Sequence, residues 1–213
     1  MMVAFACLEL APAHSRDRQF VVSAEFEHSI GTKWQSVQRR LGEDETRLAA
    51  CRAETWMCSD EEARLQAIVD LGRSHEGRAR IGSINRAVNL TIRPVSDERQ
   101  FGRDDHWSAP LETMASGQGD CEDYAILKLL ALQQAGIDRN DLRLIIVKAS
   151  GSQNAHAVAA ARLDGRWLML DNHILTLVDI EQTPYRVLAH LVPEGQSLRF
   201  AEIESDANPA GVM

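Results

Sequence analysis

The chain has 213 residues, 45% of them hydrophobic and 25% charged, with a formal net charge of −8. That length suits one domain, or one domain with two lobes, and can bury a sizeable core. The acidic balance argues against a nucleic-acid partner, since phosphate binding needs concentrated basic surface, and no apolar run approaches the ~20 residues that a membrane span requires.

The first segment, MMVAFACLELAPAHS (1–15), holds a short apolar stretch ending in Ala11-Pro12-Ala13, the small-residue pattern of a secretory cleavage site. It lacks a basic start and carries Glu9, so a remnant signal peptide and a frayed terminus stand as equal readings. From Glu27 to Gly72 the pattern is helical: Trp34, Val37, Leu41, Leu48 and Cys51 fall on one stripe, with Gly42 a candidate interruption. Cys51 and Cys58 are seven residues apart. On one continuous helix their Cα atoms would lie about 10 Å apart, beyond the ~7 Å that a disulfide tolerates, so two unbridged thiols are expected unless the helix breaks between them. Ser59 and Glu62 ahead of Ala63, Leu65, Ile68, Val69 and Leu71 form a capping-box signature, with Gly72 as the stop. A further helix is predicted around Ile84–Leu90. Asn89-Leu90-Thr91 matches a glycosylation acceptor, as three residues often do by chance. Residues 93–119 break all periodicity and read as a long ordered loop, a kind of segment that is often functional.

The second half changes character. Cys121–Ala135 is apolar almost all round and predicts a buried central helix ending at Gly136. Leu142–Ala149 predicts a strand. Ala155–Leu163 and Arg166–Asp171, joined by Asp164-Gly165, predict a hairpin. A helix followed by antiparallel strands makes the fold α+β, in a single domain over about 16–200 with a helical lobe near 24–92 and an α+β lobe near 100–200. The tail over 201–213 reads as disordered.

The chemistry centres on GQGDCEDYAIL (117–127). A thiolate is favoured at a helix N-terminus, and this segment puts Cys121 in a first turn with Asp120 as a candidate N-cap. The plainer reading is a small apolar residue opening a core helix, although acids on both sides suit a core position poorly. A catalytic thiol needs a base and the base an orienter. A two-residue turn at 164–165 sets His156 opposite His173 and Val158 opposite Asp171, so His156 and Asp171 share a face as diagonal neighbours. His156 as a satisfied core histidine, Asp171 as a turn former, and His173 as the base remain alternatives.

The segments WSAPLE (107–112), GQGDCEDYAILK (117–128), Ala155-His156 and LDN (170–172) resemble the bacterial transglutaminase-like cysteine proteinases of the LapG type, over roughly Trp107–Asn172. The resemblance implies a papain/transglutaminase-like fold, a helical N-terminal lobe with a central Cys-bearing helix packed on an antiparallel sheet. It implies Cys121 as nucleophile, His156 as general base and acid, and Asp171 as orienter. It further implies a calcium ion held by Asp120 and Glu122 with Asp123. The competing account has Asp120 capping the helix while Glu122 and Asp123 complement its dipole. The N–H of Cys121 is the default oxyanion donor; Gln118 and Trp107 are candidates for assisting and for lining the cleft, with loop and packing roles as their plainer accounts. By the same analogy the protein is periplasmic and cleaves a large cell-surface adhesin to control biofilm attachment. An inner-membrane cyclic-di-GMP receptor of the LapD type would sequester it. A transglutaminase-type acyltransferase or amidase with the same three residues, and a non-catalytic calcium-stabilised binding module, are the other two classes.

Overall fold

Helix α1 (Ala24–Ala53) runs through Gly42 without a break. One glycine costs a helix about 1 kcal/mol, and burial of Trp34, Val37 and Leu48 on the same stripe outweighs that. The structure, a computed structural model, describes residues 24–102, 105–149, 152, 154–192 and 198–199; the expected leader and the tail lie outside them. After α1 a 3₁₀ turn at Thr55–Met57 reverses the chain. It returns Cys58 to Cys51 with a Cα separation of 4.7 Å, and the two form a disulfide. The expectation of free thiols is therefore corrected: the spacing argument assumed a continuous helix, and the helix ends two residues after Cys51.

The predicted capping box opens helix α2 (Asp60–Arg73). The Glu62 N–H donates to Ser59 Oγ at 3.3 Å, and the Ser59 N–H donates to Glu62 Oε2 at 2.9 Å. Gly72 lies inside α2 rather than stopping it. A Cβ there would lie 2.5 Å from Ile84 Cδ1, so this glycine lets α2 approach helix α3 (Gly77–Thr91), which is longer than the sequence suggested. Helix propensity alone would reward Gly72→Ala by up to about 1 kcal/mol. Overpacking against Ile84 typically costs about 1–3 kcal/mol, so a net loss of stability is expected in a urea melt. An unchanged midpoint would mean that Ile84 yields freely.

Residues 93–119 are not the long loop expected. They form β1 (Arg93–Pro94), α4 (Asp97–Phe101), α5 (Pro110–Ser116) and β2 (Gln118–Gly119). β1 pairs in parallel with β2, Arg93 with Gln118 and Pro94 with Gly119. α5 begins on Pro110, whose missing N–H is not needed there. Its next N–H, on Leu111, donates to Asp44 Oδ2 of α1 at 2.9 Å. These short elements are fixed by distant partners, which local periodicity cannot register.

Helix α6 (Cys121–Gln134) is buried from Glu122 to Leu132 and packs against α2, α3, α5 and the sheet. The sheet comprises β3 (Leu142–Ala149), β4 (His156–Leu163), β5 (Arg166–Leu170), β6 (Val178–Asp179), β7 (Tyr185–Leu191) and β8 (Leu198–Arg199). Its order is β6-β5-β4-β3-β7-β8, antiparallel throughout. Asp164 and Gly165 both take positive φ, 50° and 78°, as a type I′ turn requires. The hairpin consequently has the predicted register, from Leu163–Arg166 to Ala159–Leu170. One sheet face, with Leu144, Ile146, Ala157, Ala159 and Leu170, joins α6 in the main core. The other, with Ile145, Val147, Val158, Ala160 and Met169, forms a smaller cluster with Ile180. The β3–β7 ladder slips once: Ile146 pairs with Ala189 but Val147 with Val187, leaving Leu188 without an opposite residue. The fold is α+β, as expected.

Candidate active site

His156 opens β4, and Asp171 directly follows β5. The type I′ turn brings them together as the register argument required, and His156 Nε2 lies 3.0 Å from Asp171 Oδ1. Asp171 is 1% exposed. It also accepts from the His173 N–H at 3.0 Å and from the Tyr185 hydroxyl at 3.1 Å. Burial alone would raise its pKa, but the bonds from His156 and the His173 amide outweigh burial and hold it at about 2. An ionised Asp171 can only accept, so His156 must donate from Nε2, which leaves Nδ1 as its proton-accepting nitrogen. His173 stacks on His156, with ring centroids 4.9 Å apart and planes within 4°.

The chain around Asp171 is tied to two helices. Asn89 of α3 donates to the carbonyls of Asp171 (2.8 Å) and Ile174 (3.1 Å). Asn85, one turn earlier, donates to those of Ile174 (3.1 Å) and Leu175 (3.2 Å). Lys128 of α6, fully buried, reaches the Leu170 carbonyl at 3.1 Å, and burial pushes its amine down to about 7. Asn89 thus has a structural task at this site, in place of the glycosylation match.

Cys121 is the first residue of α6. Its Sγ receives the N–H of Ala157, next to His156, at 3.4 Å, and Cys121, His156, His173 and Asp120 line one open cleft. The thiol itself donates to Glu122 Oε2 at 3.1 Å. Burial first, and then the charge of Glu122, push the thiol pKa up. Asp120 occupies the N-cap position but makes no capping hydrogen bond through its side chain, so the capping account of Asp120 does not hold.

Asp120, Glu122 and Asp123 belong to a wider acidic cluster. Carboxylate oxygens of Asp97, Asp120 and Asp123 lie within 4.8 Å of one another, as do those of Asp97, Asp105 and Glu122. Asp123 Oδ1 accepts the Ser108 N–H at 2.8 Å, and Asp97 Oδ2 accepts the His106 N–H. Asp97 Oδ1, Asp120 Oδ1 and Asp123 Oδ2 are buried without a hydrogen-bond partner. Burial, reinforced by the charge of Asp120, raises Glu122 to about 9 and Asp123 to about 7. Burial also raises Asp97 and Asp120. Gly119 makes room for this cluster, because a Cβ there would stand 2.7 Å from Asp123 Oδ2.

Sequence reasoning missed Asp97, Asp105, Asn89, Lys128 and Tyr185. The acids of SDERQFGRDD (96–105) were a visible signal for the first two, and an isolated lysine in an apolar helix for Lys128. Tyr185 carried none. Trp107 is 5% exposed and packs in the core, with its carbonyl held by Arg40, so it does not line the cleft.

A helix-start thiol sharing a cleft with a carboxylate-held imidazole is the arrangement of thiol hydrolases. Residues 48–206 match the family model of the bacterial transglutaminase-like cysteine proteinases (BTLCP), and the chain belongs to that family of cysteine proteases. Legionella pneumophila LapG shares the fold at 21% identity and a TM-score of 0.59, over 74% of this chain and 87% of that one. The EGTA-treated form of Legionella pneumophila LapG matches at 21% identity and a TM-score of 0.60, over 75% and 86%. Among curated proteins nothing matches significantly.

Proposed function

We propose that this protease is a calcium-dependent endopeptidase in which Cys121 is the nucleophile, His156 the general base and acid, and Asp171 the orienter. The observation that supports this most is the 3.0 Å bond between His156 Nε2 and Asp171 Oδ1 on a cleft shared with Cys121. His156 Nδ1 takes the proton of the thiol, and Sγ attacks the carbonyl carbon of a peptide bond. The imidazolium returns that proton to the departing amine. Water, deprotonated by the same nitrogen, then releases the acyl group from sulfur. The N–H of Cys121, at the start of α6, faces the developing oxyanion.

Asp120, Glu122 and Asp123, joined by Asp97 and Asp105, would hold the calcium. The fit rests on three buried carboxylate oxygens without partners in an all-oxygen donor set, which a hard dication prefers. Bound there, the ion supplies positive charge beside the thiol and opposes the effect of Glu122.

The Cys51–Cys58 disulfide supports an oxidising compartment, in line with a periplasmic site of action, and among the described residues no helix is long and apolar enough to cross a membrane. The large surface adhesin as substrate and the LapD-type cyclic-di-GMP receptor as inhibitor follow from family resemblance. Cys121→Ala should abolish cleavage of an adhesin-derived protein while circular dichroism shows an unchanged fold. Fragments from that variant would refute the nucleophile, and amine conjugates from the unmodified chain would reassign it to acyl transfer.

A further inference from the structure

The stacked His173 is unused by the mechanism, and it places a second imidazole beside the His156–Asp171 pair. Ligand atoms of His156, Asp171 and His173 all lie within 4.8 Å of one another. His156 Nε2 is 3.0 Å, and His173 Nδ1 3.8 Å, from Asp171 Oδ1. Zinc bonds of about 2.0–2.1 Å place tetrahedral ligands roughly 3.3 Å apart, close to both separations. The His173 side chain is 67% exposed, so its ring can turn towards a shared ion, and the open cleft leaves the fourth position to water.

We propose that His156, Asp171 and His173 form an inhibitory site for a zinc-class transition-metal ion. Two imidazole nitrogens and one carboxylate suit zinc or copper rather than calcium, whose hard oxygen donors lie in the separate acidic cluster. Binding forms a bond from the metal to the lone pair of His156 Nε2, as the ring proton with which Nε2 bonded Asp171 moves by way of solvent to Nδ1 and the imidazole stays neutral. The imidazole then loses its orienting hydrogen bond and Nδ1 holds a proton, so Nδ1 can no longer take the one on the thiol.

The inhibition rests on His156 serving as the base, whereas the metal site does not. Binding is therefore measured by isothermal titration of zinc into Cys121→Ser, which removes the sulfur as a competing ligand, with excess calcium occupying the acidic cluster. One zinc per chain is expected, with affinity at least tenfold weaker when His173→Gln is added; this change retains the backbone N–H that bonds Asp171. In the active enzyme with calcium present, zinc should suppress proteolysis, and a zinc-selective chelator that leaves calcium in place should restore it. The His173→Gln form should need at least tenfold more zinc for the same fractional loss of its own zinc-free rate. Absence of binding to Cys121→Ser, or equal affinity with and without His173, overturns the site. Binding without inhibition overturns the regulatory role. Absence of proteolysis under every condition would refute the protease mechanism, while the titration by itself still decides whether the metal binds.

Discussion

Asp171→Asn is expected to lower kcat by roughly 10³–10⁴-fold with KM little changed, the scale seen when a buried orienter becomes an amide. The two side chains have nearly the same volume, so packing is preserved and the change is one of hydrogen-bond sense. Asp171 receives three donors, from His156, from the His173 amide and from Tyr185. Asparagine offers one oxygen and one NH₂, and the NH₂ must face a group that also donates. His156 can relieve the conflict by moving its proton to Nδ1, but the nitrogen facing the cleft then donates where it must accept. Folding is affected separately. A pKa held at about 2 contributes stability that is present above the ordinary carboxylate value and lost as pH falls through about 2. Asparagine forgoes that contribution, so a lower melting temperature should accompany the lost turnover. A loss of activity smaller than tenfold would show that Asp171 does not orient the base.

The second large effect concerns calcium and pH. In the metal-free protein burial raises Asp123 to about 7 and Glu122 to about 9. Raised carboxyl values mean that the protonated forms favour the fold, a contribution present at low pH and lost as pH rises through about 7 and then about 9. A dication needs the deprotonated forms, so its binding displaces protons. Calcium affinity should therefore climb by up to about 100-fold per pH unit while two protons are displaced, from pH 5 to 7, and by up to about tenfold per unit from 7 to 9. The rise in melting temperature on replacing EGTA by calcium is expected to be small at pH 5.5 and large at pH 8, and EGTA should abolish proteolysis at pH 8. His190, lowered by burial to about 4, and Lys128 lie outside the cluster. They contribute alike to both measurements and cancel in the difference. A calcium shift that is the same at both pH values would remove the cluster as the binding site.

Legibility followed the range of the forces involved. The hairpin register could be read from Asp164-Gly165 because a two-residue turn with positive φ at both positions admits only one pairing, and that pairing fixed His156 relative to Asp171. The capping box and α6 were equally local. The disulfide was not, since nothing near Ala53 announces the end of α1, and a bridge depends on that end. The two helices within 93–119 were hidden because Asp44 and Asp123 hold that segment from elsewhere in the chain. Asp97 joined the acidic cluster through the same segment. Gly72 illustrates the opposite error: a residue type that ends helices serves here to let two of them touch.

The unmatched Leu188 decides which side of the sheet Tyr185 occupies. Before the slip, Ala189 and Leu191 belong with the main core; after it, Val187 and Tyr185 lie opposite Val147 and Ala149, on the side that carries His156. Under strict period-two alternation Tyr185, four residues from Ala189, would share its face, so the slip at Leu188 is what turns the phenol to the other side. A single-codon insertion between Arg186 and Val187 would leave the composition of β7 nearly intact and aim the phenol into the opposite layer, depriving the Asp171 carboxylate of a hydrogen-bond donor, whereas deleting Leu188 itself would only make the ladder regular and leave Tyr185 opposite Ala149. In this strand, then, chain length is as much a determinant of the chemistry as residue identity.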